Sequence, residues 1–187
     1  MPNLNASTAP IDFTTAFGRL LRDGWLRDAL AANPRAVVEQ LAVREPDRPA
    51  LLALVPADLE YQAVVLLRKR MKVVQPMLPE TMRRLGEAAW PMFHAYARTC
   101  WPAGEHPGPK DAYDFVTFLQ QHRPDSLCDR EWNRLEFFVN RKWLAIHRVR
   151  RPQTDKPQRR HRWALQLLLR RGGGNQRGHE WLLYFQI

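Results

Sequence analysis

The pattern of apolar and polar residues predicts short helices at the start of the chain. Between residues 12 and 22, phenylalanine and leucine recur every three or four positions, as on one face of an amphipathic helix. Asp12 precedes them and is the expected N-cap. Gly24 and the Asn33-Pro34 pair interrupt the pattern, so we expect a break at each. The apolar positions of this region are expected to form core.

The strongest helical pattern follows Pro56, a residue suited to the first turn of a helix. Acidic Asp58 and Glu60 fall near that start, where the helix dipole favours negative charge. Another helical region begins at Pro79, and Ser126 is the expected N-cap of a last helix ending near residue 140. The predicted apolar face of the helix after Pro56 comprises Leu59, Ala63, Leu66, Leu67 and Met71.

Near Lys142 the apolar period changes from 3.6 to 2, which predicts β-strands. Trp163 and every second residue after it are apolar up to Leu169, and the same alternation follows the loop GGGNQRG. The connections allow an antiparallel meander of three strands. We therefore predict an α+β fold: a helical domain over residues 1–140, then a small three-stranded antiparallel sheet over residues 141–187.

The net charge of +10 is concentrated in the predicted sheet. Residues 1–140 hold 17 Lys and Arg and 17 Asp and Glu, whereas residues 141–187 hold 12 Lys and Arg against only Asp155 and Glu180. A concentrated basic surface attracts an anionic partner: nucleic acid, an acidic peptide or the acidic face of another protein. The alternative is solvated charge that only aids solubility.

Residue patterns for autonomous catalysis are absent from the sequence. The loop GGGNQRG lacks the GK[ST] ending of a phosphate-binding loop and joins two predicted strands, so a hairpin loop is the simpler interpretation. The six histidines and the two cysteines, Cys100 and Cys128, show no zinc-site spacing. We expect no enzyme activity, no metal and no cofactor in this chain.

The N-terminal sequence also lacks a signal-peptide pattern, since no basic stretch is followed by an apolar one. No apolar run approaches the ~20 residues that a membrane span needs. A cytoplasmic protein without membrane contact is expected.

The last predicted strand, HEWLLYFQI, is apolar and has no Lys or Pro to protect a sheet edge. Such an edge can accept an extended peptide as an additional strand, and surrounding arginines favour an acidic one. The alternative is an edge covered by the protein's own helices or linker. The candidate peptide-binding residues are Trp181, Leu183, Tyr184, Phe185, Arg162, Arg170 and Arg171.

Four stretches carry a resemblance to a known family: FGRLLRDGWLRDALAANPRAVVEQL, LLRKRMKVVQPMLPETMRRLG, FHAYARTCWP and DAYDFVTFL. Over about residues 13–140 the chain resembles small helical bacterial proteins encoded beside TIM-barrel, multinuclear-iron oxidases. In that family the two proteins form a heterodimer that modifies a ribosomally made precursor peptide at a cysteine. Methanobactin maturation, giving oxazolone and thioamide, and the pearlin-type pathway, giving 3-thiaglutamate, are two cases.

The resemblance implies a role for each part of the chain. It implies that the helical body docks on the iron subunit and that the sheet recognises the leader of the precursor. It also implies that the iron and the redox chemistry belong to the partner, with 3-thiaglutamate formation as the favoured reaction. Arg68, Lys69 and Arg70, in the family-like LRKR run, are the candidate partner-docking residues.

Two other functions compete with this interpretation. A nucleic-acid-binding protein would use the basic C-terminal region, although no helix-turn-helix, zinc-finger or RNP-like motif is present and basic charge alone is weak support. An independent enzyme would need an active site built from residues without a familiar pattern.

Overall fold

The structure is a computed structural model that describes residues 9–102, 107–150, 163–170 and 178–184. These residues form a mainly helical chain that ends in a three-stranded antiparallel sheet, so the predicted α+β class is confirmed. The helices are α1 (Phe13–Arg22), α2 (Gly24–Ala32), α3 (Pro34–Gln40), α4 (Arg48–Leu52), α5 (Pro56–Val74), α6 (Pro79–Leu85), α7 (Ala89–Ala97), α8 (Pro107–His122) and α9 (Asp129–Val139).

The chain divides into two compact units, and neither is one continuous segment. The first unit comprises Met1–Arg70 and Phe93–Trp101, and the second comprises Met71–Met92 and Pro102–Ile187. The sheet shares its unit with helices, so the compact units do not follow the change of charge and period near residue 140. The functional division into partner-docking and peptide-binding parts stays a prediction.

In the first unit, α1, α2 and α3 each begin at a capping side chain. Oxygens of Asp12, Asp23 and Asn33 accept a backbone N–H two or three residues later, at 2.8, 2.8 and 3.2 Å. Each bond satisfies an N–H that has no partner inside its helix. The predicted Asp12 cap and both predicted breaks are confirmed. The short helices enclose a core of Ala16, Leu20, Leu30, Val37, Val38, Leu41, Val43, Leu51 and Leu59.

A buried arginine fixes the end of α1 in this unit. Arg27 is only 4% exposed, and its guanidinium donates to the backbone oxygens of Leu20 at 3.0 Å and Leu21 at 3.1 Å. Its Nε donates to Glu60 Oε2 at 2.7 Å. Partial burial alone would raise the pKa of Glu60, but the hydrogen bond and charge of Arg27 outweigh burial and lower that pKa. The buried charge is therefore paired, as its burial requires.

Replacing Gly24 with alanine is expected to destabilise the first unit by about 1–3 kcal/mol. A Cβ there would clash with Arg98 Cγ and lie 2.9 Å from Arg98 O, and the Gly24 N–H already donates to that oxygen at 2.9 Å. Gly18→Ala is the matched control, because nothing lies within 4 Å of its Cβ position inside α1. Urea unfolding followed by circular dichroism measures both. A Gly24→Ala protein as stable as Gly18→Ala would contradict the close packing.

In the second unit, α9 is packed on more than one side. It contacts α8 as well as strands β1 (Leu144–Arg150) and β2 (Trp163–Arg170). Its buried residues therefore alternate along the helix and do not form a single stripe: Glu131, Asn133, Leu135 and Phe137. Two of these are polar, and both bond to other elements of the unit.

Glu131 reaches from α9 to the start of α6. Its two carboxylate oxygens accept the backbone N–H groups of Glu80 at 2.6 Å and Thr81 at 2.9 Å. Leu78, at the N-cap position of α6, has no side-chain capping bond. Glu131 thus supplies from a distant segment the acceptor that a local cap would normally provide.

The prediction that Ser126 caps the last helix is wrong. The helix α9 begins at Asp129, and Cys128 occupies the cap position. Ser126 lies in the 3-10 turn Pro124–Ser126, where its hydroxyl donates to Arg123 O at 2.7 Å. This bond turns the serine back toward the preceding helix, so its oxygen does not serve α9.

The sheet has the order β1-β2-β3, with β3 at Gly178–Tyr184. Both pairings are antiparallel, as predicted. The register places Ile146 opposite Leu167, and Leu167 opposite Trp181. Among the strands that the structure describes, β2 is central, and β1 and β3 are the two edges.

A helix can cross a membrane only if it is long and apolar enough. Within the described ranges, no single helix is long and apolar enough to cross a membrane. One pair of consecutive helical segments, Glu45–Leu52 and Pro56–Met77, is long and apolar enough only when the two are counted together, and the pair is bent where they meet.

Candidate peptide-docking surface on the C-terminal sheet

The sheet has two faces of different chemistry. The inward face packs against α9 and carries buried Val149, Ala164, Gln166 and Leu168. Gln166 is completely buried, at 0% exposure. A buried amide is costly unless it is hydrogen bonded, so its partners determine whether this face is stable.

A polar network satisfies Gln166 and ties the sheet to α9. The Gln166 amide nitrogen donates to Arg130 O at 2.9 Å and to Glu180 Oε1 at 3.0 Å. The Gln166 amide oxygen accepts from Asn133 Nδ2 at 3.1 Å. Arg130 forms an ion pair with Glu180 as well. Because Glu180 belongs to β3 and Gln166 to β2, the network holds both strands on the helix.

Arg170, a predicted peptide-binding residue, lies on the inward side of β2. Its Nη2 donates to Phe138 O at 3.3 Å, and its guanidinium lies 5.7 Å from the centroid of the Phe137 ring. The backbone N–H of Arg170 donates to Trp143 O at 2.9 Å. These contacts give Arg170 a structural role at the end of α9, and its contact with a peptide stays a prediction.

The outer face is mainly apolar on all three strands. We define it by Leu144, Ile146, Arg148, Leu165, Leu167, Leu169, Trp181 and Leu183. One row of the register joins Ile146, Leu167 and Trp181, and a second joins Arg148, Leu165 and Leu183. Ile146 is 61% exposed, Leu183 50% and Trp181 43%. Such a contiguous exposed apolar surface is typical of an interaction site.

The edge of β3 is the second part of the candidate surface. Among the described residues β3 pairs with β2 alone, so one side of its backbone has no neighbouring strand there. Trp181 and Leu183 project from this strand to the outer face. The backbone of Tyr184 is the last described position. The predicted residues Phe185, Arg162 and Arg171 lie outside the described residues.

The three predicted partner-docking residues differ in environment. Arg68 and Lys69 are exposed on α5. Arg70 is half-buried, lies 4.7 Å from the Trp101 ring centroid and donates to Ala97 O at 3.2 Å. Its contacts within the first unit give it a structural role. Tyr61, 67% exposed, lies seven residues before Arg68 and so on the same side of the helix.

The described part of the chain offers no candidate metal site. No set of three or more His, Cys, Asp or Glu side chains there is placed to hold a metal ion. Burial raises the pKa of the Cys128 thiol, which disfavours the reactive thiolate. A cleft of about 710 Å³ in the second unit is lined mainly by apolar side chains, including Met71, Met82 and Trp90. Its described lining contains no His, Cys or Ser.

Comparison with known proteins gives one partial match. Residues 31–121, just under half of the chain, match the family model "SCO6045-like, C-terminal domain". The matched segment covers helices α3 to α8 and excludes the sheet. No curated protein and no solved structure matches this chain.

Sequence reasoning identified β3 but missed the outer face as a whole. In the sequence, Leu144 and Ile146 form one side of an alternating strand. The other side, with Ala145 and Val149, is equally apolar, so the alternation does not show which side faces outward. Tyr61 was not predicted, because its exposure depends on which side of α5 is packed. Polar Gln166 is a misleading signal, because a polar residue in a strand usually marks the exposed side, whereas here it is completely buried.

Proposed function

We propose that this chain is a non-catalytic partner subunit of an iron-dependent peptide-modifying oxidase. Its sheet binds the leader of a ribosomally made precursor peptide by strand addition at β3 and presents a precursor cysteine to the iron enzyme. The favoured product is 3-thiaglutamate. The proposal places the protein in the cytoplasm, as a heterodimer with a TIM-barrel oxidase that holds the iron.

The observation that carries the proposal is the edge strand β3, with exposed apolar side chains, in a basic part of the chain. Backbone groups on the open side of an edge strand give affinity for an extended peptide, and neighbouring side chains give selectivity. Trp181 and Leu183 are partly exposed beside this edge. The 12 Lys and Arg of residues 141–187 favour an acidic peptide over a basic one.

The proposed role of the helical body rests on the family resemblance and on exposed residues of α5. Arg68 and Lys69 present positive charge, and Tyr61 adds an exposed aromatic ring of the kind that anchors protein interfaces. In this proposal Arg70 supports the helix through Trp101 and Ala97.

Two measurements test the proposal. The first is purification of the tagged chain from its native cells, followed by metal analysis and peptide mass spectrometry. We expect an iron-containing protein at a one-to-one ratio, because the proposal assigns the iron to the partner. Recovery of nucleic acid alone, resistant to moderate salt, would overturn the proposal in favour of the nucleic-acid-binding alternative.

The second measurement uses an acidic strand peptide of about ten residues in which valine and glutamate alternate. We expect binding by fluorescence anisotropy, and at least tenfold weaker binding when lysine replaces every glutamate. Equal affinity for the two peptides would contradict the charge selectivity.

A further inference from the structure

The sheet is largely apolar on both of its faces, unlike an ordinary half-buried sheet. An antiparallel sheet usually buries its apolar face and exposes its polar face. Here the inward face buries Val149, Ala164 and Leu168 together with polar Gln166, and the outer face also carries leucine, isoleucine and tryptophan. The polar inward groups are satisfied by α9. Within the described residues, the outer face leaves Ile146, Trp181 and Leu183 exposed.

The chain's own remaining segments are poorly suited to cover this face. Outside the described ranges, residues 103–106, 151–162 and 171–177 contain no large aliphatic or aromatic residue. Residues 1–8 contribute Met1 and Leu4, and residues 185–187 contribute Phe185 and Ile187. A partner polypeptide is therefore the better-suited occupant of the face.

A second copy of this chain is disfavoured by charge. Face-to-face pairing of two outer faces would bring together two segments that each carry 12 Lys and Arg against two acidic residues. Arg148, which lies on the outer face itself, would add to this repulsion. The same charge attracts an occupant with acidic flanks.

The dimensions of the face fit a helix. Three strands spaced about 4.8 Å apart span about 10 Å, close to the ~10 Å diameter of an α-helix. Alternate residues along a strand lie about 7 Å apart, so the three rows extend about 14 Å, or between two and three helical turns. We infer that the outer face is a docking site for an amphipathic helix of a partner protein, with an apolar stripe flanked by acidic residues.

This surface shares Trp181 and Leu183 with the edge of β3, but the inference uses the side chains of all three strands and not the open backbone of β3, so it does not depend on the proposed function. Ile146 lies on β1, the opposite edge strand, and a substitution there leaves the β3 backbone unchanged. Strand addition and helix docking can thus be tested by separate variants.

The probe is an acidic helical peptide of about 15 residues with leucines at helical spacing on one side and glutamates elsewhere. We expect it to bind the full chain at physiological salt, measured by isothermal titration calorimetry. Ile146→Asp should weaken binding at least tenfold, because it removes a central apolar contact and adds like charge. Val55→Asp is the matched control, since Val55 is 55% exposed in the first unit. It should leave binding unchanged.

Circular dichroism establishes that each variant is folded, and a photo-crosslinking residue at position 146 gives a readout independent of affinity. We expect crosslinking of the acidic helix at position 146 but not at position 55. The inference is overturned if a peptide of the same composition with scattered leucines binds equally well, or if the probe does not bind at millimolar concentration. A dimer in sedimentation analysis that Ile146→Asp dissolves would also overturn it, because the occupant would then be a second copy.

Discussion

Replacing Glu131 with alanine is expected to lower the free energy of unfolding by about 3 kcal/mol, among the largest effects of a single substitution in this protein. The change removes a buried carboxylate that accepts two backbone N–H groups, from Glu80 and Thr81, at the start of α6. Thr81 is buried, so water cannot readily replace the lost acceptor. A charge-assisted bond contributes about 1.5–3 kcal/mol, and two are lost.

Glu136, five residues further along the chain, provides the control. It lies on the same helix but is partly exposed, and it pairs with Lys142 Nζ at 2.9 Å. Glu136→Ala should cost less than about 1 kcal/mol, as for other partly exposed ion pairs. Glu131→Gln keeps one strong acceptor and should fall between the two. Hydrogen exchange locates the effect: the amides of Glu80 and Thr81 should lose protection in Glu131→Ala. Equal stability of the two alanine variants would refute the capping role.

The second large effect is expected on peptide binding, from single prolines in β3. In an antiparallel strand, successive residues direct their N–H groups alternately toward the neighbouring strand and away from it. Leu182 and Leu183 are consecutive, so one of them directs its N–H toward β2 and the other toward the open edge. Proline removes the N–H and obstructs the approach of a strand on that side.

We therefore expect the two prolines to separate stability from binding. The proline whose ring faces the open edge should leave the sheet folded. It should weaken binding of the acidic strand peptide about 100-fold, equivalent to about 2.8 kcal/mol of binding free energy. The other should destabilise the β2–β3 pairing. Leu182→Ala and Leu183→Ala control for the lost side chains, and anisotropy titration with thermal unfolding measures both quantities. If both proline variants bind as tightly as the alanine variants, strand addition at β3 is excluded.

Features set by local interactions could be predicted from the sequence. Asp12 is followed by an apolar helical repeat, and its cap forms within three residues of the chain. The period-2 alternation after Lys142 predicted the sheet for the same reason, since side-chain alternation is a property of each strand. Ser126 failed as a cap because a competing 3-10 turn, equally local, uses its hydroxyl.

Features set by distant segments could not be predicted. The start of α6 depends on Glu131, about 50 residues later. The burial of Gln166 depends on Asn133 and Arg130 of α9, which satisfy an amide that its sequence neighbours cannot. For the same reason the candidate site was predicted only in part: strand pattern identified Trp181 and Leu183, whereas the outward direction of Ile146 follows from which side α9 covers.

The interleaved order of the two compact units determines how the protein can be dissected. The polypeptide leaves the first unit after Arg70, re-enters it at Phe93 and leaves it again after Trp101. A single cut at any of these points therefore removes part of at least one unit. A cut near residue 140, where the charge changes, would separate the sheet from the Asn133 and Arg130 groups that satisfy Gln166. Gene fragments with one new terminus should give insoluble halves, and mapping of binding regions in this protein requires point substitutions.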